Sequence, residues 1–133
     1  MTIARRPLTL RIRVTGLVAC CASKLPGSHP AGDIYQSDLF KKSVAYLRMY
    51  CDDWYILSAK HGLLHPATVI SNYDMTLNDF SKEERAIWYR MVTQQTSQLP
   101  ACRFLVLAGN NNACRDMRDS NSRVSRVHVL SAS

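Results

Sequence analysis

The sequence predicts one α/β domain with a mostly parallel sheet of about four strands and helices on both faces, a Rossmann-like three-layer arrangement. Strand-type segments alternate with helix-type segments, and the strand segments are short apolar runs typical of a sheet buried on both faces. The 133 residues are 47% hydrophobic and 20% charged, which suits a folded core. We expect a single domain over residues 1–133, with a basic segment at 1–7 and a divergent tail at 110–133.

Four segments have the composition of strands. The first alternates apolar and polar residues before an apolar run at 17–20, and Gly16 inside it indicates a bulge or a close backbone approach. The second and third are short apolar runs, and the last lies near the end of the chain. The predicted strands are residues 8–20, 53–58, 103–108 and 126–130.

A first helix is predicted from about Ser37, a good N-cap residue, and its apolar positions fall on one face. These positions are Phe40, Val44, Leu47 and Cys51.

A capping box formed by Ser81 and Glu84 opens a second helix, which reaches about residue 97. We expect Ile87, Trp88 and Met91 to face the core. A further short helix is predicted at 110–119.

Two long segments rich in proline and glycine, residues 22–34 and 59–79, are predicted to be loops. Each follows a predicted strand, and ligands of open α/β sheets bind outside the carboxyl ends of the strands. If the two strands are neighbours, the side chains after them share one crevice. The residues concerned are Cys20, Cys21, Ser23 and Lys24 after the first strand, and Ser58, Lys60 and His61 after the second.

These residue types suit chemistry on an anionic ligand. Lys24, Lys60 and Ser58 can hold phosphate or ribose oxygens. His61 can accept and donate protons near neutral pH, and a cysteine beside a lysine can have its thiolate stabilised. Structural alternatives stay open, because the lysines can be surface residues, the cysteines small buried apolar residues, and His61 part of a turn.

Residues 71–77 form a third segment of interest. Tyr73 can stack on a base, and Asp74 can accept hydrogen bonds from ring nitrogens or polarise a histidine. A lead-in to the following helix with Asx turns is the alternative. A zinc site built on His61 and His65 is disfavoured because Gly62 and Pro66 interrupt any helix between them. The dinucleotide-binding and P-loop motifs are missing from the sequence, and no cofactor is expected.

The net charge and the cysteine content indicate which binding partners and which cellular compartment to expect. The net charge is +7, and arginines crowd both ends of the chain, which favours polyanionic partners. The five cysteines do not resemble a disulfide framework. No apolar run reaches the ~20 residues of a membrane span. We expect a cytoplasmic protein that does not bind membranes; its oligomeric state is open.

Several motifs resemble a family of unknown function found in bacteria, phages and plasmids. They are Cys21-Ala-Ser-Lys24, residues 33–40, residues 55–64, and Tyr73-Asp-Met-Thr-Leu77. The resemblance runs from about residue 17 to 109 and brings Tyr35 into the predicted substrate-binding set. That family is distantly similar to the YaaA peroxide-stress proteins, described as DNA-binding, and to a domain of archaeosine synthase, which modifies a base in tRNA.

In the archaeosine pattern a cysteine is followed four residues later by Lys-Pro-Tyr, which corresponds here to Cys20 and Lys24 but with Leu25-Pro26 after the lysine. The leading hypothesis is therefore a nucleobase- or nucleotide-processing domain, either a base-modifying transferase or an N-glycosidase-like enzyme. His61 and Asp74 would handle protons, and Cys20 or Cys21 would be the nucleophile. The alternatives are a non-catalytic DNA-binding protein that depends on Arg123 and Arg126, and a family member that folds without reacting.

Overall fold

The computed structural model describes residues 12–108 and the backbone of residues 124–129. The beginning of the first predicted strand, the basic segment 1–7, the short helix predicted at 110–119 and most of the tail lie outside the described residues.

A five-stranded sheet forms the centre of the described structure. Its strands are β1 (Val14–Ala19), β3 (Asp53–Ser58), β4 (Gly62–Leu64), β6 (Arg103–Ala108) and β7 (Val124–Val129), in the order β4-β3-β1-β6-β7. The parallel pairs are β1 with β3, β1 with β6, and β6 with β7, whereas β4 runs antiparallel to β3. The prediction of an α/β fold with a mostly parallel sheet is confirmed, with one more strand than expected.

Within the described residues three helices accompany the sheet, and the starts of the two long ones follow from local capping. The Ser37 side chain accepts a hydrogen bond from the Phe40 amide, and Ser81 and Glu84 form the predicted capping box. Both long helices therefore begin at the predicted residues, and the second also ends at the predicted residue, Ser97. The helices are α1 (Ala31–Ile34), α2 (Asp38–Tyr50) and α3 (Lys82–Ser97).

The predicted inner face of α3 is wrong at one position. Trp88 is 3% exposed and Met91 is partly buried, but Ile87 is 61% exposed. Neighbouring helical residues point about 100° apart, so Ile87 and Trp88 cannot both face the sheet, and the larger indole is the one buried. On α2, Phe40, Val44 and Leu47 are buried as expected.

The two segments predicted as loops contain short elements of their own. β2 (Ser28–Pro30) pairs antiparallel with β5 (Val69–Ser71), α1 follows β2 directly, and a 3-10 helix spans Leu77–Asp79. These elements were missed because strands of three residues carry almost no periodic signal, and their pairing joins segments far apart in the chain.

Of the two alternatives predicted at Gly16, the close approach is confirmed, and the group that approaches its backbone is the Leu47 side chain. A Cβ atom at this position would lie 2.6 Å from Cδ2 of Leu47, so α2 packs directly on the backbone of β1. Since β3 and β6 flank β1 on opposite sides, right-handed crossovers would put α2 and α3 on opposite faces of the sheet. The Rossmann-like three-layer description stays a prediction. Within the described residues, no helix has the length and apolarity to cross a membrane.

Candidate functional site

The candidate site lies at the carboxyl ends of β1 and β3. From β1 the chain passes to β3 on one side, and from β3 it passes to β6 on the other side of β1. The connections that follow β1 and β3 therefore leave the sheet in opposite directions. Such a reversal of strand order opens a crevice at the carboxyl ends of the strands. The segments after β1 and β3 both begin at this edge.

The segment after β1 folds back on itself. Lys24 and Tyr35 form an antiparallel bridge, and the Leu25 amide donates to the Ile34 carbonyl at 2.8 Å. Lys24 is therefore fixed through its backbone rather than held on a loose loop.

The segment after β3 is joined to this loop by the β2–β5 pair and by Asn72. The Asn72 side chain donates to the Leu25 carbonyl at 2.9 Å, and its backbone amide donates to the Gly27 carbonyl at 3.0 Å. These bonds place the next residue, Tyr73, beneath the Lys24 loop. The predicted convergence of the two segments follows from this pairing.

A buried hydroxyl network lies where the segments meet. The Tyr73 hydroxyl is 2.7 Å from the Tyr35 hydroxyl and 2.9 Å from Ser58 Oγ, and Ser58 Oγ also accepts from the His61 amide at 3.0 Å. Tyr35, Ser58 and Tyr73 are all buried. Burial raises the pKa of Tyr35 to about 12 and raises that of Tyr73 well above its ordinary value. Both phenols are therefore neutral at physiological pH.

The Lys24 ammonium lies against this network. Its Nζ atom is 4.3 Å from the centre of the Tyr73 ring and 5.9 Å from that of Tyr35, which are cation–π distances. Its hydrogen bond to the Ala22 carbonyl is long, at 3.4 Å. The side chain is partly buried, and among the described residues it has no carboxylate partner.

His61 packs on the same tyrosine. The His61 and Tyr73 rings meet edge to face with their centres 5.7 Å apart. Burial lowers the pKa of His61, and the charge of the neighbouring Lys60 lowers it further. Near pH 7 the imidazole is therefore neutral and can accept a proton.

The thiol of Cys20 completes the cluster, and its protonation differs from the sequence-based expectation. Burial raises the pKa of Cys20, against the smaller lowering effects of the Ala59 amide, the Tyr73 hydroxyl and the Lys24 charge. The expected stabilisation of a thiolate by lysine is present but is outweighed, because desolvation disfavours the charged form more strongly. Cys20 is thus a neutral thiol at pH 7.

Beside Cys20 is an open cleft of about 250 Å³ between the segment after β1 and the 3-10 helix. Cys21 borders it and donates from its thiol to the Ser23 carbonyl at 3.3 Å. The cleft is lined by Cys20, Cys21, Ala22, Thr76, Leu77, Asn78 and Asp79.

Helix α3 holds the turn that carries His61, a role that the sequence did not reveal. The Gln95 side chain accepts from the Leu63 amide at 2.8 Å and donates to the His61 carbonyl at 3.1 Å, and the Trp88 indole donates to the Ser58 carbonyl at 2.9 Å. Gly62 has a φ of +69°, and a Cβ atom there would collide with Gln95. Of these features the sequence revealed only Gly62, as a residue that interrupts regular secondary structure.

The structure thus brings together six of the predicted site residues and leaves others at the surface. Cys20, Lys24, Tyr35, Ser58, His61 and Tyr73 form one contiguous cluster. Ser23, Lys60 and Asp74 are exposed, and none of the contacts that build the cluster involves the Asp74 side chain. Tyr73 is 8% exposed, and Lys24 and His61 lie against its ring, so the ring has little free face for the base stacking expected from the sequence.

Comparison with known proteins identifies relatives but no activity. An uncharacterised protein of Bacillus subtilis strain 168, YfjM, is 45% identical over 47 residues, which are 35% of this chain and 31% of that protein. The chain therefore matches about a third of the length of this relative. No solved structure matches it. The model of a family of unknown function, DUF6884, matches residues 15–131, which include both strands and both loops of the candidate site. The chain belongs to this family of unknown function.

Proposed function

We propose that the protein binds and processes a nucleobase or nucleotide, either free or within a nucleic acid, at the carboxyl ends of β1 and β3. The position of the Lys24 ammonium carries the proposal. It is partly buried, 4.3 Å from the Tyr73 ring centre, with no carboxylate partner among residues 12–108. A partly buried cation favours an anionic ligand, and a phosphate group would supply the opposite charge.

The groups around Lys24 suit proton transfer on a ligand. His61 is neutral near pH 7 because its pKa is lowered, so it can act as a general base. Cys20 keeps its proton and offers a neutral thiol. Base modification and N-glycosidic cleavage both need a group that takes up a proton beside the ligand, and we assign this role to His61. Ser58 and Tyr73 hold the site in place, since their hydroxyls bond to protein atoms.

The cleft beside Cys20 would hold the base. Its volume of about 250 Å³ is below the range of pockets for drug-sized ligands, ~300–1,000 Å³, and suits one small planar ring. Thr76, Asn78 and Asp79 provide hydrogen-bonding groups along one side. The resemblance to archaeosine synthase supports the same assignment, because the two positions that correspond to its pattern, Cys20 and Lys24, lie in one cluster.

Binding and product analysis together test this proposal. Nucleoside monophosphates and short DNA and RNA oligonucleotides are titrated against the wild type, Lys24→Gln and the control Lys82→Gln, an exposed lysine at the start of α3. We expect Lys24→Gln to weaken binding by roughly tenfold, as for loss of one charged hydrogen bond, and Lys82→Gln to leave it unchanged. Mass spectrometry should detect a released or altered base, and His61→Asn should abolish that product while retaining ligand binding. Equal affinity of the wild type and Lys24→Gln would overturn the proposal.

A non-catalytic DNA-binding protein is the rival proposal, supported by the net charge of +7. It predicts that binding depends mainly on the terminal arginines and falls steeply with salt. In that case Arg123→Gln with Arg126→Gln would weaken DNA binding more than His61→Asn or Lys24→Gln, and no altered base would form.

A further inference from the structure

A second cleft, of about 260 Å³, borders the Tyr35 ring and has no role in the site described above. It lies between α1 and α2. Its lining residues are Gly32, Asp33, Tyr35, Phe40, Lys41, Val44 and Arg48. Because the Lys24 ammonium is 5.9 Å from the centre of the same tyrosine ring, the second cleft and the candidate site are adjacent.

Two cations line this cleft from one side of α2. Lys41 and Arg48 are seven residues apart, two helical turns, so they project from the same flank of the helix about 10 Å apart along its axis. The Arg48 guanidinium lies 5.7 Å from the centre of the Trp54 ring, which favours a fixed position for it. Within the described residues neither cation forms an ion pair.

Among the described residues that line the cleft, Asp33 has the only carboxylate, so these residues contribute two positive charges against one negative charge. This excess favours an anion. Lys41 and Arg48 are both exposed, so an anion can reach them from solvent.

We propose that the Lys41–Arg48 cleft binds the phosphate of a nucleotide adjacent to the one held at Lys24. The inference rests on the proposed function and makes it more specific: the substrate is a nucleic-acid strand rather than a free mononucleotide. A mononucleotide at Lys24 would leave the second cleft empty. A strand would place one phosphate on each side of Tyr35.

The test compares ligands of different length on matched variants. The double variant Lys41→Gln/Arg48→Gln removes both cations, and Lys42→Gln removes a neighbouring exposed lysine that does not line the cleft. We expect the double variant to weaken binding of single-stranded oligonucleotides roughly tenfold, as for loss of a charge-assisted contact. It should also reduce the slope of log K against log salt by about 1, as for one phosphate contact. Its affinity for a nucleoside monophosphate should stay at the wild-type value, and Lys42→Gln should change neither.

Asp33→Asn gives an independent check that does not depend on removing cations. Loss of the opposing carboxylate should raise the oligonucleotide affinity several-fold, with no change for the monophosphate. DNA and RNA oligonucleotides of one sequence show which strand type is preferred.

Failure of this inference is distinguishable from failure of the proposed function. If the double variant binds oligonucleotides as the wild type does, or loses monophosphate binding to the same extent, the second cleft does not hold the phosphate of an adjacent nucleotide. If Lys24→Gln binds every ligand normally while the double variant loses oligonucleotide binding, the cleft binds strands and the site at Lys24 is wrong.

Discussion

Replacing Tyr73 by phenylalanine tests the network on which the candidate site is built. The change removes one hydroxyl and leaves the ring that Lys24 and His61 contact. Tyr35, which is 1% exposed, loses the hydroxyl 2.7 Å away, and an unsatisfied buried hydroxyl costs ~1–3 kcal/mol. Ser58 loses the bond of 2.9 Å but keeps the His61 amide as a donor, so its loss is that of one ordinary hydrogen bond, ~1 kcal/mol. Together we expect a decrease of ~2–4 kcal/mol in the free energy of unfolding.

Urea denaturation followed by circular dichroism measures this decrease, and a double-mutant cycle tests its cause. Tyr35→Phe should cost less than Tyr73→Phe, because Tyr73 keeps Ser58 as a partner. The double variant should cost less than the sum of the two single changes by ~1 kcal/mol, since it no longer leaves the Tyr35 hydroxyl unsatisfied. Tyr46→Phe, on an exposed side chain, should stay within ~0.5 kcal/mol of the wild type. Additive effects, or a loss at Tyr73 as small as that at Tyr46, would refute the network.

Three further outcomes are expected. In a histidine NMR titration, His61 should have a pKa below 6.5, and Lys60→Gln should raise it only in part, because burial is the larger cause. With such a pKa, the His61 imidazole binds a proton more tightly in the unfolded chain than in the folded protein. The free energy of unfolding should therefore fall as the pH drops through 6.5, and His61 should not change it at higher pH. A pKa of His61 above 6.5 would contradict this prediction. Gly62→Ala should lower the free energy of unfolding by more than ~2 kcal/mol, because ~1–2 kcal/mol of left-handed backbone strain adds to the collision with α3. Gly27 also has a positive φ, +80°, but open space around it, so Gly27→Ala should cost the strain alone. Asp53→Ala should lower the free energy of unfolding by ~1–3 kcal/mol in urea denaturation, because the buried Thr15 hydroxyl loses its acceptor at 2.7 Å. Asp53→Asn should cost less, because its amide oxygen can still accept this hydrogen bond. Equal costs for the two variants would show that the Thr15 hydrogen bond is not the cause.

The regular elements could be predicted because their signals are local. Capping at Ser37 and Ser81 depends on an amide three residues away, and β3 and β6 are apolar runs whose bounds the sequence already contains. The convergence of the two site segments was also predictable, since it follows from the edge at which parallel strands end. Residues placed by that rule, Lys24 and His61, do meet at Tyr73.

What the sequence by itself determined is therefore the α/β class, the main helices and strands, and which segments reach the site. Only the tertiary structure decided how those segments are held and which side chains are buried. The hydrogen bonds that fix the loops join residues 38, 43 and 47 positions apart, and Gln95 reaches Leu63 from 32 positions away. No local pattern encodes such contacts. Burial then sets the chemistry, because desolvation raises the pKa of Cys20 and lowers that of His61, which leaves both side chains uncharged near pH 7.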